Sequence, residues 1–186
     1  MPHTAVPASE LTARLNELRR VMSATHPDWK MVLLDNKIDL YYFTGTMQEG
    51  ALVITPDEAA LFVRHSYECA VRDSRFPDIR PLGSFRGIAS AFPEIPETVY
   101  VAARTMTLQK LTMLQKYLPF APSPIDGILS GLRSVKSEYE LDCMRHAGKI
   151  HAKVLETVAP ALLRPGLSEA RLCAEICTSM LDHGAM

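Results

Sequence analysis

The sequence predicts an α/β fold in which a mixed β-sheet is flanked by helices and two further helices follow. Strand-like segments alternate with amphipathic helices through residues 1–134, the pattern of an α/β domain. Two of the strands are separated by nothing more than a short turn, and such a hairpin makes the sheet mixed rather than wholly parallel. A strong helix start then appears late in the chain, at Ser137. We therefore expect one domain over residues 1–134 and the beginning of a second over residues 135–186.

Composition excludes several classes of protein. Apolar residues make up 47% of the 186 residues, which is enough for a packed core and too many for a disordered chain. The 20 Lys and Arg residues are balanced by 21 Asp and Glu residues, so no basic excess attracts nucleic acid. No apolar run approaches the roughly 20 residues that a membrane-spanning helix needs. The N-terminus has no secretory pattern, and four irregularly spaced cysteines favour reduced thiols, so we expect a cytoplasmic protein.

The first half of the chain reads as a helix, a strand and a hairpin. Apolar residues at helical spacing follow Ser9, and Pro27 ends this helix. Residues 31–34 form a short continuous apolar run, which is typical of a strand covered on both faces. After an apolar element over residues 38–45, two strand-like runs flank the turn at residues 55–58, where Pro56 presets the backbone.

The next elements are shorter. A helix is expected over residues 65–74, and residues 79–82 form a weak strand that Pro81 confines to an edge or an end. A helical piece around residues 85–91, a strand over 98–102 and an amphipathic helix over 108–118 follow. The proline cluster at residues 121–124 is too short for a tether between domains. Residues 125–132 then form a short helix or an extended apolar segment.

Two helices close the chain. Ser137 and Glu140 fit a capping box, in which each side chain binds the other residue's backbone amide. The residues expected on the inner side of the first helix are Leu141, Met144, Ala147, His151, Val154 and Val158. Residues 164–166 break this helix, and Ser168 caps a second one that ends at Gly184. Its inner residues are expected to be Leu172, Cys173, Ile176, Met180 and Leu181.

The residues alone do not form a catalytic centre. The sequence has no Gly-rich phosphate loop, no Gly-x-Ser-x-Gly elbow and no His-Glu-x-x-His pair. His146 and His151 would point about 140° apart on a helix, so they cannot share a metal, and His151 is expected to be a buried core residue. A zinc site built from Cys143, His146 and the pair Cys173 and Cys177 is disfavoured, since structural zinc sites usually place one pair on a tight turn. Ordinary thiols are the better interpretation.

The segment Tyr42-Phe43-Thr44-Gly45 ends an apolar element abruptly. Its aromatic residues are expected in the core, with Gly45 in a turn that needs a positive φ. The polar loop that follows, over residues 46–49, is free to face a ligand.

Taken in order, several segments resemble the creatinase/prolidase superfamily of pita-bread metallopeptidases, peptidase family M24. Residues 39–45 look like its Asn-Ile-x-Tyr-Leu-Thr-Gly element, although Phe43 replaces the commoner leucine. Residues 50–70 are similar to its hairpin and following helix. Residues 132–147 closely match its entry into the catalytic domain, and residues 164–169 its next loop and helix start.

This resemblance implies an N-terminal creatinase-like α/β domain followed by the truncated start of a pita-bread catalytic domain. The family hydrolyses peptides with proline in the second position by means of two divalent metal ions, usually Mn, Co or Zn. All its metal ligands lie downstream of residue 186, so no metal ligand, cofactor site or catalytic residue is assigned to this chain. The N-terminal domain of these dimers commonly restricts access to the catalytic pocket, which makes Thr46, Met47 and Gln48 candidates for substrate binding.

Three functions remain open on this resemblance. The leading one is the dimerisation and substrate-access part of a cytosolic Xaa-Pro aminopeptidase or dipeptidase, which would be inactive as this chain alone. The second is part of a creatinase-like C–N hydrolase of a small metabolite. The third is a non-catalytic module of the same fold that binds peptides or proteins.

Overall fold

The computed structural model describes residues 5–184, which divide into two compact units, residues 5–135 and residues 136–184. The first unit contains six helices and six strands among its described residues. In chain order they are α1 (Ala8–Thr25), β1 (Val32–Leu34), α2 (Lys37–Thr44), β2 (Gly50–Ile54), β3 (Ala59–Val63), α3 (Tyr67–Asp73), β4 (Ile79–Pro81), α4 (Arg86–Ala91), β5 (Thr98–Val101), α5 (Leu108–Gln115), β6 (Ala121–Pro124) and α6 (Asp126–Ser134).

The six strands form one mixed sheet in the order β4-β3-β2-β1-β5-β6. The predicted hairpin is confirmed, with β2 and β3 antiparallel and Leu52 opposite Leu61. β1 pairs with β2 in the antiparallel sense and with β5 in the parallel sense, so the sheet changes from antiparallel to parallel at β1. The predicted α/β class with a mixed sheet is thereby confirmed.

The sheet is buried on both faces by helices. One face carries Leu33, Val53 and Phe62, which pack with Ile88 of α4 and Leu114 of α5. Because side chains alternate along a strand, the neighbouring strand residues point to the other face. α2 contacts β2, and α1 contacts both α2 and α6. All three residues of β1 are buried, as the continuous apolar run predicted.

Prolines close both edges of the sheet. Ala121 at the start of β6 donates its N–H to Glu97, the residue before β5, and Ile125, the residue after β6, donates to Val101. Residues 122 and 124 therefore face outward by alternation, and both are prolines without an N–H. At the other edge, β4 ends with Pro81 as predicted, and the Tyr67 hydroxyl donates to the carbonyl of Ile79 at 3.3 Å. Outward proline is a known protection against strand addition by another chain.

The second unit is helical over its described residues. α7 (Glu138–Lys153) begins with the predicted capping box of Ser137 and Glu140. It continues into a π-helical segment (Val154–Val158) and α8 (Ala159–Leu162), and α9 (Glu169–Asp182) is capped by Ser168 as predicted. Proline inside a helix removes one backbone hydrogen bond, and Pro160 is the second residue of α8, two positions after the π-helical segment ends. α9 contacts the π-helical segment and α8.

Several residues expected to face inward are exposed, which corrects the sequence analysis. His151 lies on the surface of α7, and Met144 is 57% exposed. Cys173 and Leu181 are exposed on α9. The physical reason is that an amphipathic stripe marks one side of a helix, whereas burial also needs a second element to cover that side. Ile150 and Val154 are the buried apolar residues of the second unit within the described range.

Candidate functional site

The loop over residues 46–49, which joins α2 to β2, is bracketed by two glycines with defined tasks. Gly45 ends α2 with φ of 73°, and its N–H donates to the Tyr41 carbonyl at 2.8 Å. The predicted positive φ at this position is thereby confirmed. Gly50 begins β2 so close to β3 that a Cβ atom there would lie 2.1 Å from the Phe62 carbonyl oxygen. Both ends of the loop are thus fixed in space by the backbone.

Hydroxyl groups hold the beginning of the loop. The buried Thr44 hydroxyl donates to the Leu40 carbonyl at 2.6 Å, one turn back in α2. The Ser74 hydroxyl donates to the Thr44 carbonyl and accepts from the Phe76 N–H at 2.9 Å. The end of α2 is therefore joined to the segment that follows α3, and this contact restrains the loop start.

The three predicted substrate-binding residues lie in different surroundings. Thr46 is 3% exposed, and its hydroxyl accepts from the Gln48 N–H at 3.4 Å, so it shapes the loop and does not reach solvent. A part for Thr46 in substrate binding stays a prediction, with its hydroxyl engaged by the Gln48 N–H. Met47 is 59% exposed and Gln48 is half-buried. Met47 is therefore the most accessible side chain of the three. Glu49, the next residue of the loop, lies 3.7 Å from Arg64.

α2 adds two exposed apolar side chains that sequence reasoning missed. Residues 37–44 form a helix whose inner face carries Leu40 and the fully buried Phe43. Its outer face carries Ile38, which is 66% exposed, and Tyr41, which is 40% exposed. The spacing of three residues between them is the helical signal that would have identified this face. Residues 38–47 thus expose three large apolar side chains, including Met47.

A buried arginine fixes α2 against α1. The Arg14 guanidinium is 7% exposed and donates to Glu10 at 2.8 Å and to the Tyr42 carbonyl at 2.7 Å. It also lies 4.3 Å from the centre of the Tyr42 ring. The Tyr42 hydroxyl in turn donates to the Leu132 carbonyl of α6 at 3.3 Å. A buried charge is tolerated where it is paired in this way.

A second ion pair fixes the N-terminal end of α2. Asn36 caps the helix by accepting from the Asp39 N–H at 2.9 Å, and its amide donates to the Asp39 carboxylate at 2.5 Å. The other carboxylate oxygen of Asp39 accepts from Arg133 of α6. The Asp39 side chain is 5% exposed and that of Arg133 is 32% exposed. α2 is therefore held at both ends by charged groups from its two neighbouring helices.

This arrangement presents a surface and contains no reaction centre that the described residues reveal. Within residues 5–184, no three His, Cys, Asp or Glu side chains are grouped so that they could hold a metal ion. The described helices also include none whose length and apolarity would suit a crossing of the lipid bilayer. What the loop and α2 can do chemically is to offer apolar contact and one amide side chain from a rigid support.

Comparison with solved structures shows the same fold at low sequence identity. The prolidase from Pyrococcus furiosus is 23% identical with a TM-score of 0.79, over 92% of this chain and 53% of its own. The Xaa-Pro dipeptidase from Bacillus anthracis is 20% identical with a TM-score of 0.82, over 95% of this chain and 50% of its own. This chain therefore spans about half the length of these proteins.

A shorter structure is matched along nearly all of its length. The Xaa-Pro aminopeptidase structure from Streptococcus pyogenes is 17% identical with a TM-score of 0.58, over 68% of this chain and 99% of its own. No curated protein sequence matches this chain. A sequence profile described as the creatinase/prolidase N-terminal domain matches residues 14–135, which include all six strands and the loop after α2. On this evidence the chain belongs to the creatinase/prolidase N-terminal domain family.

Proposed function

We propose that this chain is the N-terminal, dimerisation and substrate-access part of a metal-dependent Xaa-Pro aminopeptidase or dipeptidase. The observation that carries the proposal is the family match over residues 14–135. It is supported by the similarity in fold to an Xaa-Pro dipeptidase structure, which extends over 95% of this chain. Residues 136–184 would then be the start of the catalytic domain. The remaining half would supply the chemistry.

In this proposal the metal ions belong outside the described residues. Two divalent ions, Mn, Co or Zn, would activate a water molecule and polarise the scissile carbonyl in the catalytic half. Residues 5–184 offer no group of three suitable ligands, so no step of hydrolysis is assigned to them. The chain alone is accordingly expected to show no peptidase activity.

The role proposed for the loop over residues 46–49 is to contact the peptide substrate or to limit its length. The rigidity of the loop supports this role, because Gly45 and Gly50 fix its ends and the side chain of Thr46, its first residue, is buried. Met47 and Gln48 would make the contact. A loop held in this way can select substrates at small entropic cost, since few rotamers are ordered on binding.

The test requires the longer protein in which this chain is followed by a metal-binding catalytic half. Xaa-Pro dipeptides and longer Xaa-Pro peptides are compared as substrates for the parent protein and for Met47→Ala and Gln48→Ala. We expect kcat/KM for the longer peptides to change about 3- to 10-fold relative to the dipeptides, the effect of one or two lost contacts. Met113→Ala is the matched control, because Met113 is 44% exposed on α5 and should leave the ratio unchanged.

Two results would contradict the proposal at different levels. An unchanged length preference in Met47→Ala and Gln48→Ala would remove the loop from substrate selection and leave the peptidase assignment intact. Hydrolysis of creatine, or the absence of any Xaa-Pro hydrolysis with Mn, Co or Zn present, would overturn the assignment itself. Light scattering on the same protein tests the expected homodimer.

A further inference from the structure

Helix α9 carries three sulfur atoms on one stripe of its surface. Cys173, Cys177 and Met180 stand at spacings of four and three residues within the helix Glu169–Asp182. At about 100° per residue these side chains fall within an arc of about 60°. Both thiols are exposed, and Met180 is half-buried beside them.

The direction of helical side chains brings the thioether toward the thiols. Long side chains on a helix lean toward its N-terminus and lie over the preceding turn. By this rule we expect Met180 to lean toward Cys177, one turn before it, and Cys177 toward Cys173. The nearest charged residues on the helix, Arg171 and Glu175, form a salt bridge with each other at 2.5 Å.

The two thiols already interact with each other. A hydrogen bond between the side chains of Cys173 and Cys177 raises the pKa of the Cys177 thiol, and the charge on a Cys173 thiolate would raise it further. Two thiolates one turn apart on a helix would repel each other. A cation placed between the sulfur atoms removes that repulsion.

We propose that Cys173, Cys177 and Met180 form a binding site for a single soft monovalent cation, Cu(I). Thiolate and thioether sulfur are the ligands that Cu(I) prefers, and it accepts two or three of them. Structural zinc instead needs four ligands in a tetrahedron, and the described residues provide no group of three His, Cys, Asp or Glu.

Binding at this site is a ligand exchange without a redox step. Each cysteine thiol gives its proton to solvent, a bond forms between each thiolate sulfur and copper, and copper remains Cu(I). The Met180 thioether adds a third, neutral donor. The proposal rests on the sulfur side chains of α9 and needs no peptidase activity.

The test is an anaerobic titration of the whole 186-residue chain with Cu(I) against a colorimetric Cu(I) chelator. We expect one tightly held equivalent per chain. Cys173→Ser and Cys177→Ser should each weaken the affinity at least about 100-fold, the upper range seen when even an outer-sphere partner is lost. Met180→Leu should weaken it about 10-fold, because a third donor is removed while the thiolates stay.

Cys143→Ser is the matched control. Cys143 is an exposed thiol on α7 with Ala147 one turn after it, so it has no second thiol on its stripe. It should leave affinity and stoichiometry unchanged. Circular dichroism of each variant checks that the helices persist, and the exposed positions of the thiols make this the expected result.

The proposal is overturned if Cys173→Ser and Cys177→Ser bind Cu(I) as tightly as the parent chain. It is equally overturned if Cys143→Ser abolishes binding. Half an equivalent per chain together with copper-dependent dimerisation would show an ion bridged by two copies and not a site on one helix. Zn(II) held as tightly as Cu(I) would contradict the preference for a soft ion.

Discussion

The two units of this chain reach their structures by different means. Residues 5–135 bury a dense set of apolar side chains around a six-stranded sheet, including the fully buried Leu33, Leu52 and Phe43. Within the described part of residues 136–184, the buried apolar side chains are Ile150 and Val154. The first unit is specified by packing. The second is specified mainly by local signals, which set where a helix begins but do not cover its apolar side.

Local signals begin and end the helices of the second unit correctly. Ser137 and Glu140 satisfy each other's amides at 3.2 and 3.0 Å, and Ser168 accepts from the Arg171 N–H at 3.2 Å. Such caps lie within a few residues of sequence and need no tertiary partner. They do not determine which side of a helix is covered, so Leu155, Leu163 and Leu181 remain more than half exposed.

The largest effect is expected where packing leaves no room in the first unit. In Gly50→Val, the Cβ atom would lie 2.1 Å from the Phe62 carbonyl oxygen, and β2 and β3 would have to separate. We expect a loss of about 4 kcal/mol or more in the free energy of unfolding, or a chain that does not fold. Urea unfolding followed by Trp29 fluorescence measures it, since this single tryptophan is buried in the first unit.

The control for this change is Gly131→Ala in α6. A Cβ atom at Gly131 would meet no other atom within 4 Å, and alanine favours a helix over glycine by about 1 kcal/mol. Gly131→Ala should therefore be neutral or slightly stabilising. An unchanged unfolding midpoint for Gly50→Val would contradict this prediction. It would show that β2 and β3 can separate at Gly50 without loss of stability.

The same substitution in each unit compares them directly. Ile54 is 0% exposed in β2 and Ile150 is 7% exposed in α7. We expect Ile54→Ala to cost about 3 kcal/mol in the transition seen by Trp29, because the surrounding sheet cannot collapse into the cavity. Ile150→Ala should cost less than half of that, because fewer buried neighbours lose contact.

Two probes separate the outcomes for this pair. Trp29 fluorescence reports on the first unit, whereas far-ultraviolet circular dichroism reports on the helices of both. Ile150→Ala should change the dichroism transition and leave the fluorescence transition in place. Equal losses from the two substitutions, seen by both probes, would mean that the units unfold as one and that the comparison fails.

Sequence reasoning succeeded where a pattern and its physical cause lie close together in the chain. The hairpin over residues 51–63, the buried strand β1 and the confinement of β4 to an edge or an end were all predicted from alternation, apolar runs and proline. The family resemblance was also read correctly from the ordered segments. The capping box at Ser137 was predicted from two residues alone.

Sequence reasoning failed where tertiary contact decides. β6 has the sequence Ala-Pro-Ser-Pro, and it is a strand because its two prolines face away from β5. The sequence predicts α2 only as an apolar element, because contacts that hold this helix, such as the ion pair between Asp39 and Arg133, join residues far apart in the chain. Ile38 and Tyr41 carry a local signal, their spacing of three residues, but that spacing identifies a surface only once the segment is recognised as a helix.

That ion pair gives the third prediction. Arg133→Ala leaves the buried Asp39 carboxylate with Asn36 as its remaining side-chain partner among the contacts described above. We expect a loss of about 2 kcal/mol in the Trp29 transition, reduced from the 3–5 of a fully buried pair because Arg133 is 32% exposed. Arg20→Ala is the control, because Arg20 pairs with Glu17 on the open surface of α1, and no measurable change is expected.

A second substitution identifies the cause. If the loss in Arg133→Ala comes from the unpaired carboxylate, then Asp39→Asn combined with Arg133→Ala should recover part of it. A double variant as unstable as the sum of the two single variants would show that the pair contributes through packing and not through charge.

The smallest expected effect tests the local signal that starts the second unit. Ser137→Ala removes the hydroxyl that accepts the Glu140 N–H and breaks the capping box, which should cost about 1 kcal/mol and fray the first turn of α7. The loss should appear in helical dichroism and leave the Trp29 transition unchanged. Ser90→Ala is a matched control, since its hydroxyl donates back to the Arg86 carbonyl within a helix and caps nothing. If Ser137→Ala also lowered the Trp29 midpoint, the cap would support the packed unit as well, and the boundary between packed and locally specified structure would have to move toward the C-terminus.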